Sequence, residues 1–452
     1  MRLALELALA RSAGRLSRLA GRGGGTTIPG KILATIDPGS VSTLAARLPR
    51  GTAAISATNG KTTTAALVAA IVGKSIRLAH NGSGANLVSG VASTLIEARD
   101  AELGLFEVDE GAFPEVARRI RPRAVCLGNL FRDQLDRYGE LVQIAERWRA
   151  AVAELPDRTA LVVNADDPQV GDLVRPGRVT FGIDDPAQAR PTLQHASDSK
   201  YCLRCGTPYV YTAAYVGHLG DYRCPACGHA RPPLDVAARA IELHGLEAVS
   251  FDLVTPEGTR RVRLGLPGLY NVYNALAAAS LSRALDATLD EVVAGLGSAP
   301  PAFGRAERID VGSRRLLLLL IKNPAGANEV VRTVVQAEAP RLAVVALNDA
   351  IADGRDVSWI WDVDFEPLLE CLERVVVSGG RAAELALRFT YAGFPADAVE
   401  IVPELGAALD RGLELTPEGG ELTVLPTYTA MLELRRIVAE RGYARQYWER
   451  AA

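Results

Sequence analysis

The chain has no basic excess, no long apolar run and no export signature, and each absence removes a class of function. Its 50 Lys and Arg against 53 Asp and Glu leave a net charge of −3. A nucleic-acid binder normally carries a strong positive balance, so that class is disfavoured. No stretch reaches the roughly 18 apolar residues of a membrane span; the aliphatic run Leu316–Ile321, set between Arg315 and Lys322, has only the length of a strand. The segment Met1–Arg22 alternates Leu and Ala with Arg at positions 2, 11, 15, 18 and 22 and is broken by Gly23-Gly24-Gly25. Lacking the apolar core and cleavage pattern of a signal peptide, it is predicted to be an amphipathic helix packed on the first domain, with membrane-surface contact as the alternative.

Cysteine is scarce and unevenly placed: four of the six form Cys202-Leu203-Arg204-Cys205 and Cys224-Pro225-Ala226-Cys227, 18 residues apart. Two such knuckles wrap four thiolates around Zn²⁺ in a closed shell with no position for substrate, so the metal is structural. Two disulfides are the alternative, disfavoured without an export signal. Tyr209, Tyr211, Tyr215 and Tyr222 are predicted to cover a ribbon too short to build a core without its metal, and the nearby His218 and His229 are not needed as ligands. Cys126 sits in an apolar strand and Cys371 on a predicted apolar helix, Leu368–Leu372, and both read as core. No cysteine is then left to serve as an activated nucleophile.

With 452 residues, 48% of them hydrophobic, the chain is long enough for two or three domains. It is organised around Ile55-Ser56-Ala57-Thr58-Asn59-Gly60-Lys61-Thr62-Thr63-Thr64, an apolar strand running through a Gly-Lys-Thr turn into the helical pattern Ala65–Val72. Thr58, Asn59, Gly60, Lys61, Thr62 and Thr63 form a cradle for a nucleotide triphosphate: backbone N–H groups and the Lys61 ammonium meet the phosphates, and the Thr62 hydroxyl meets Mg²⁺. The first glycine of the general Walker A pattern is missing, since position 55 is Ile. Leu103–Glu110 is an apolar strand ending in carboxylates. Ligands collect at the carboxyl ends of strands in open α/β sheets, which puts Glu107 in place to hold Mg²⁺, against the alternative of a solvated strand end. Further on, Asn271 is predicted to cap a helix, and Asn274 to offer its amide to adenine or to a water beside the phosphates.

Thr-Asn-Gly-Lys-Thr-Thr-Thr resembles the ATP loop of the Mur ligases, the ATP-dependent amide-forming enzymes of peptidoglycan synthesis, which usually carry Gly where this chain has Ala57. Other segments are similar to the family too: His80–Leu87, Asn129 with Asp133-Gln134-Leu135-Asp136, Asn164-Ala165-Asp166-Asp167, Gly268–Ala279 and Gly304-Arg305-Ala306-Glu307. The resemblance implies that Glu107 binds metal and that Arg305 contacts phosphate. Gln134 stands where the family has a metal-linked His; an amide is a weaker ligand than imidazole, which leaves a second Mg²⁺ site open. The expected fold is α/β: an N-terminal helical segment (1–50), a P-loop ATPase domain with a parallel sheet (51–308), a Cys₄ zinc ribbon inserted at 198–233, and an α/β C-terminal domain (309–452).

Three features narrow the resemblance: the Cys₄ insert, Lys322-Asn323-Pro324-Ala325-Gly326 where the family's Asp and His become Leu319 and Lys322, and the acidic stretch Asp353-Gly354-Arg355-Asp356-Val357-Ser358-Trp359-Ile360-Trp361-Asp362. Together they are similar to the MurT–GatD amidotransferase family. That implies amidation of the D-glutamate α-carboxylate in lipid II through an acyl phosphate, with ammonia from a GatD-like glutaminase subunit. It implies also that an acidic-loop Asp completes the partner's Cys–His pair; Asp356 is the first candidate and Asp353 the second. The work is expected in the cytoplasm at the inner membrane face, where lipid II is made. The alternatives are an amino-acid-adding Mur or folylpolyglutamate-type ligase and a non-catalytic ATP-binding scaffold.

Overall fold

A computed structural model describes residues 6–7, 9–12, 14, 27–82, 85–133, 141–194, 197–299, 305–337 and 342–444. Gln134 and Asp136, singled out in the sequence, lie outside these residues. The first sheet is built from strands that read as near-continuous apolar runs because both faces are covered. They are β1 (Thr52–Ser56), β2 (Leu78–His80), β3 (Leu103–Val108), β4 (Ala124–Leu127), β5 (Ala160–Asn164) and β6 (Val179–Ile183). The chain then leaves the sheet for a separate hairpin, β7 (Val210–Val216) and β8 (Leu219–Arg223), and returns through β9 (Val236–His244), β10 (Ala248–Thr255) and β11 (Gly258–Leu264). The nine strands lie in the order β11-β10-β9-β6-β5-β4-β1-β3-β2. From β2 to β9 neighbours pair in parallel, and β9, β10 and β11 close the edge as an antiparallel meander.

β1 lies between β3 and β4, so the chain winds to one side of it for β2 and β3 and to the other for β4 to β6. Such a reversal leaves a crevice at the carboxyl ends of the flanking strands, and ligands of open α/β sheets bind there. Into this crevice run the loop after β1, which opens helix α1 (Lys61–Val72), the end of β3 with Glu107, and the turn after β4 with Asn129. Helix α2 (Leu269–Ala284) packs across α1 and lies buried on nearly every side.

The second sheet is β12 (Arg305–Val311), β13 (Arg314–Leu319), β14 (Leu342–Ala346), β15 (Arg374–Ser378), β16 (Val399–Ile401) and β17 (Glu421–Pro426), in the order β12-β13-β17-β14-β15-β16. β12 begins at Arg305, so the boundary expected at 308/309 falls inside a strand of this sheet. Helix α3 (Pro324–Gln336) follows β13 and faces the first domain, and one buried cluster of apolar residues runs through both domains. Near the N-terminus the described residues from 6 to 14 are helical. Leu7 and Ala10 are buried against the first domain and Arg11 donates to Ile96 O at 2.7 Å, which favours packing over membrane contact for this segment.

Two local expectations need correction. Asn271 does not cap α2: Gly268 holds that position, and Asn271 lies in the first turn with its amide donating to Pro267 O at 2.7 Å. Cys371 follows a short 3₁₀ turn, Glu366–Glu370, and is only half-buried, since Pro367 and the short apolar run do not sustain an α-helix. Cys126 is fully buried, and desolvation drives its thiol far above the ordinary range, so no thiolate forms there.

Candidate active site at the domain cleft

The loop after β1 turns at Gly60, whose φ of 87° opens α1. A side chain there would be strained, and its Cβ would overlap Asn274 Oδ1 on α2. Asn274 therefore packs directly on the phosphate loop; its Nδ2 donates to Asn271 Oδ1 at 2.9 Å, and Thr64 Oγ1 lies 3.5 Å from its Oδ1. Asn129, after β4, clamps the loop's other side: Thr58 N donates to its carbonyl at 2.8 Å, Asn59 N to its Oδ1 at 2.9 Å, and its Nδ2 returns to Asn59 O at 3.0 Å. Thr58, Asn59 and Thr63 are thus held within the loop and its first helical turn.

Thr62 Oγ1 donates to Glu107 Oε1 at 3.0 Å, joining the start of α1 to the end of β3. Neighbouring ligands of an octahedral Mg²⁺ with bonds of about 2.05 Å stand about 2.9 Å apart, so this hydroxyl and carboxylate are spaced as two such ligands. Asn81 steadies Glu107, its amide accepting from Glu107 N at 2.8 Å and donating to Glu107 O at 2.8 Å. Of the segment His80–Leu87, Asn81 thus positions this pair, and residues 83 and 84 lie outside the described residues. His80 ends β2, and burial lowers its pKa to about 4, which keeps the imidazole neutral.

Lys61 is buried, and its ammonium donates to Ala57 O, to Thr58 O at 3.1 Å and to Glu110 Oε2 at 2.8 Å. Burial by itself would raise the Glu110 carboxyl, but Lys61 and Lys322 together hold it below its ordinary value. Lys322, from the segment after β13, pairs with Asp133. For Asp133 burial outweighs Lys322 and the carboxyl is pushed above its ordinary value. Beside Lys322, Asn323 and Asn59 exchange side-chain amide bonds at 3.1 and 3.0 Å. Asn323 also caps α3 by accepting from Gly326 N at 2.9 Å. The C-terminal domain is therefore fastened to the phosphate loop by a segment that in the sequence served to narrow the family resemblance. Glu110 was missed, as was the reach of Lys322 into the cleft. Acidic strand ends are common, and no spacing signals a contact between residues 264 apart.

Asn164 Oδ1 accepts from Asp166 N at 3.1 Å, and Asp166 serves the scaffold, receiving Tyr273 Oη at 2.6 Å, Arg231 Nη1 at 3.1 Å and Ile183 N at 2.9 Å. Asp167 caps a short helix and accepts from Leu130 N at 2.8 Å. Arg305 opens β12, and its side chain lies outside the described part of the structure.

The four sulfurs of Cys202, Cys205, Cys224 and Cys227 lie within 4.8 Å of one another. A tetrahedral shell with Zn–S bonds of about 2.3 Å has edges of about 3.8 Å, so the cluster is compatible with zinc. Tyr209, Tyr211 and Tyr222 gather over it, whereas Tyr215 belongs to the main core. His229 touches the cluster, 4.0 Å from Cys202 Sγ; His218 lies at the far end of the hairpin, buried against Phe131.

In the C-terminal domain the two acidic candidates part. Asp353 is buried and accepts from Thr429 N at 2.8 Å and from the Thr429 hydroxyl. Asp356 is exposed; it accepts from Ser358 N at 2.9 Å, and its hydrogen bonds with Ser358 keep its carboxyl below the ordinary range.

A Gly-Lys-Thr loop at the switch point of a parallel sheet, closed over by a second α/β domain, defines an ATP-dependent ligase of the Mur type. The Mur ligase middle domain matches residues 55–216 and the MurT ligase C-terminal domain matches 320–431. The fold resembles a pseudomurein peptide ligase type C from Methanothermus fervidus, with a TM-score of 0.70 and 20% identity over 88% of this chain and 80% of that one. It also resembles a Thermotoga maritima MurF ligase solved with ADP, with a TM-score of 0.62 and 14% identity over 89% and 85% of the two chains. Over 438 residues, 95% of each chain, the sequence is 32% identical to the Streptococcus pneumoniae lipid II isoglutaminyl synthase (glutamine-hydrolyzing) subunit MurT. It is equally identical to the Staphylococcus aureus subunit of that name over 87% of this chain and 88% of that one. The chain belongs to the MurT family of the Mur ligases.

Proposed function

We propose that this chain is the synthetase half of a two-subunit amidotransferase acting on lipid II. The α-carboxylate of the second-position D-glutamate bonds to the γ-phosphorus of ATP as ADP leaves, and ammonia then bonds to the carbonyl carbon as inorganic phosphate leaves, giving D-isoglutamine. A separate GatD-like glutaminase supplies the ammonia; among the described residues no cysteine outside the Cys₄ cluster has the environment of a thiolate nucleophile. The observation that carries the reading is the meeting of Lys61, Thr62 and Glu107 at the sheet's switch point in a chain of this family.

The chain's own groups act by position and charge. Thr62 and Glu107 would hold Mg²⁺, which supplies neutralisation of the phosphate charge. Lys61 leaves Glu110 for the β- and γ-phosphates, and Glu110 keeps Lys322 as a cationic neighbour in the same buried cleft. The cleft limits access of water to the labile acyl phosphate. Asp356, exposed on the loop after β14, orients the partner's catalytic histidine as a triad carboxylate does. Lipid II places the reaction at the inner membrane face; no helix among the described residues is long and apolar enough to cross a membrane.

The direct test combines purified chain, glutaminase partner, glutamine, ATP and lipid II, reading phosphate release and product mass. Phosphate release with a mass change of carboxyl to carboxamide is expected. Release only when an amino acid is added would indicate an amino-acid-adding ligase, and no release under any condition a scaffold. Glu107→Gln should lower kcat by about 10²–10³-fold and raise the Mg²⁺ concentration for half-maximal rate, as loss of a charged ligand at developing phosphoryl charge requires. Metal removal from the ribbon should act on folding. With Cys224→Ser we expect one equivalent of zinc to be lost and protease cleavage to appear between residues 198 and 233, because a lone two-stranded hairpin is marginal without its staple.

A further inference from the structure

The ribbon has two ends in different surroundings. At the cysteine end, Cys202, Tyr209, Tyr222 and Cys224 form a small buried cluster of their own. At the other end, Val216 and Leu219 pair across a two-residue turn, are buried, and belong to the apolar core shared by both domains. They also line the cavity bounded by Gly60, Asn274 and Lys322. The turn is tied to the phosphate loop. Gly217 has φ 58°, and a Cβ there would stand 2.7 Å from Phe131 Cε1. The Phe131 ring lies 4.7 Å from that of His218, its N–H donates to Thr58 Oγ1 at 3.1 Å, and Thr58 Oγ1 donates back to Phe131 O at 3.3 Å.

We propose that Val216 and Leu219, at the tip of the metal ribbon, are nucleotide-binding residues: they form the apolar wall against which the base and ribose of ATP pack. The inference rests on the reading that this cleft binds ATP. Groups that suit phosphate, the N–H donors and cations around Gly60, Lys61 and Lys322, lie on the loop side. The ribbon side of the same cavity offers aliphatic surface, which cannot neutralise charge but suits a flat apolar ring whose edge meets an amide such as Asn274. The ribbon is thus part of the nucleotide site as well as a folded insert, and Phe131 couples its turn to Thr58.

Titration calorimetry of the full chain with Mg-ATP tests this, with zinc content and circular dichroism measured on each variant. Leu219→Ala should weaken Mg-ATP binding about tenfold or more, as loss of aliphatic packing in a ligand pocket does, and Leu219→Met, which conserves volume, should restore it to within about threefold. Val216→Trp fills the cavity instead of emptying it and should abolish binding with the fold intact. Wild-type affinity in zinc-loaded, folded Leu219→Ala or Val216→Trp overturns the proposal. So does weakening of Leu219→Ala that tracks zinc loss and is not reversed by Met, which would make the tip a folding element only. Wild-type chain that binds no Mg-ATP refutes the ATP reading itself.

Discussion

Lys61→Ala is expected to abolish phosphoryl transfer and to destabilise the fold as well, and a second substitution separates the two effects. The wild-type ammonium and the Glu110 carboxylate are both buried and lie 2.8 Å apart. Removing the lysine leaves the buried carboxylate with Lys322 as its remaining cationic neighbour, at a cost of up to about 3–5 kcal/mol, the scale for breaking a buried pair. Lys61→Ala combined with Glu110→Gln should recover most of that loss, measured as the denaturation midpoint, because a neutral amide needs no counter-ion. Turnover should stay about 10³-fold or more below wild type, since charge on the transferring phosphoryl group remains unopposed. If the double variant regains both stability and turnover, Lys61 has only a structural role.

The pair also sets a pH dependence. Glu110 has a folded pKa below its unfolded value, so its contribution is present above the unfolded pKa and is lost as pH falls through the folded pKa. In Lys61→Ala the attraction and the hydrogen bond from Lys61 are lost, so the carboxyl moves upward from its wild-type position. The variant's deficit relative to wild type should shrink as pH is lowered through the variant's shifted pKa, where its Glu110 takes up a proton before the wild-type group does, read as the denaturation midpoint against pH.

Asp356→Asn should drop glutamine-driven amidation by about 10³–10⁴-fold, the scale on which a triad carboxylate matters, with ATP affinity and the denaturation midpoint unchanged. The residue is exposed and bonded only locally, to Ser358, so its loss disturbs no packing. Asp353→Asn behaves differently. That carboxylate accepts two hydrogen bonds from Thr429, and weakening a buried acceptor of this kind costs about 1–3 kcal/mol whatever the nitrogen source. Wild-type rates of glutamine-driven amidation in Asp356→Asn, or a selective loss in Asp353→Asn without destabilisation, would reverse the assignment.

Much of this was legible from local patterns. The Gly-Lys-Thr turn, the strand that ends in Glu107 and the two cysteine knuckles are each made by residues close in sequence, and the chemistry of each needs only that closeness. The capping role of Asn271 was misplaced because Gly268, with φ 87°, can open the helix three residues earlier. Asp356 ranked ahead of Asp353 without a clean separation, because a sequence shows charge but not burial; contact with Thr429 takes Asp353 inside and leaves Asp356 at the surface.

By itself, then, the sequence determined the phosphate loop, the metal-ready ribbon and the α/β alternation, since strand, turn and helix propensities act over a few residues. Only the tertiary structure decided which distant groups share the cleft: Glu110 on Lys61, Lys322 on Asp133, Asn323 on Asn59, and the ribbon tip beside Gly60. Those pairings come from sheet order and domain packing, and no local propensity encodes which buried charge or apolar wall will stand opposite another.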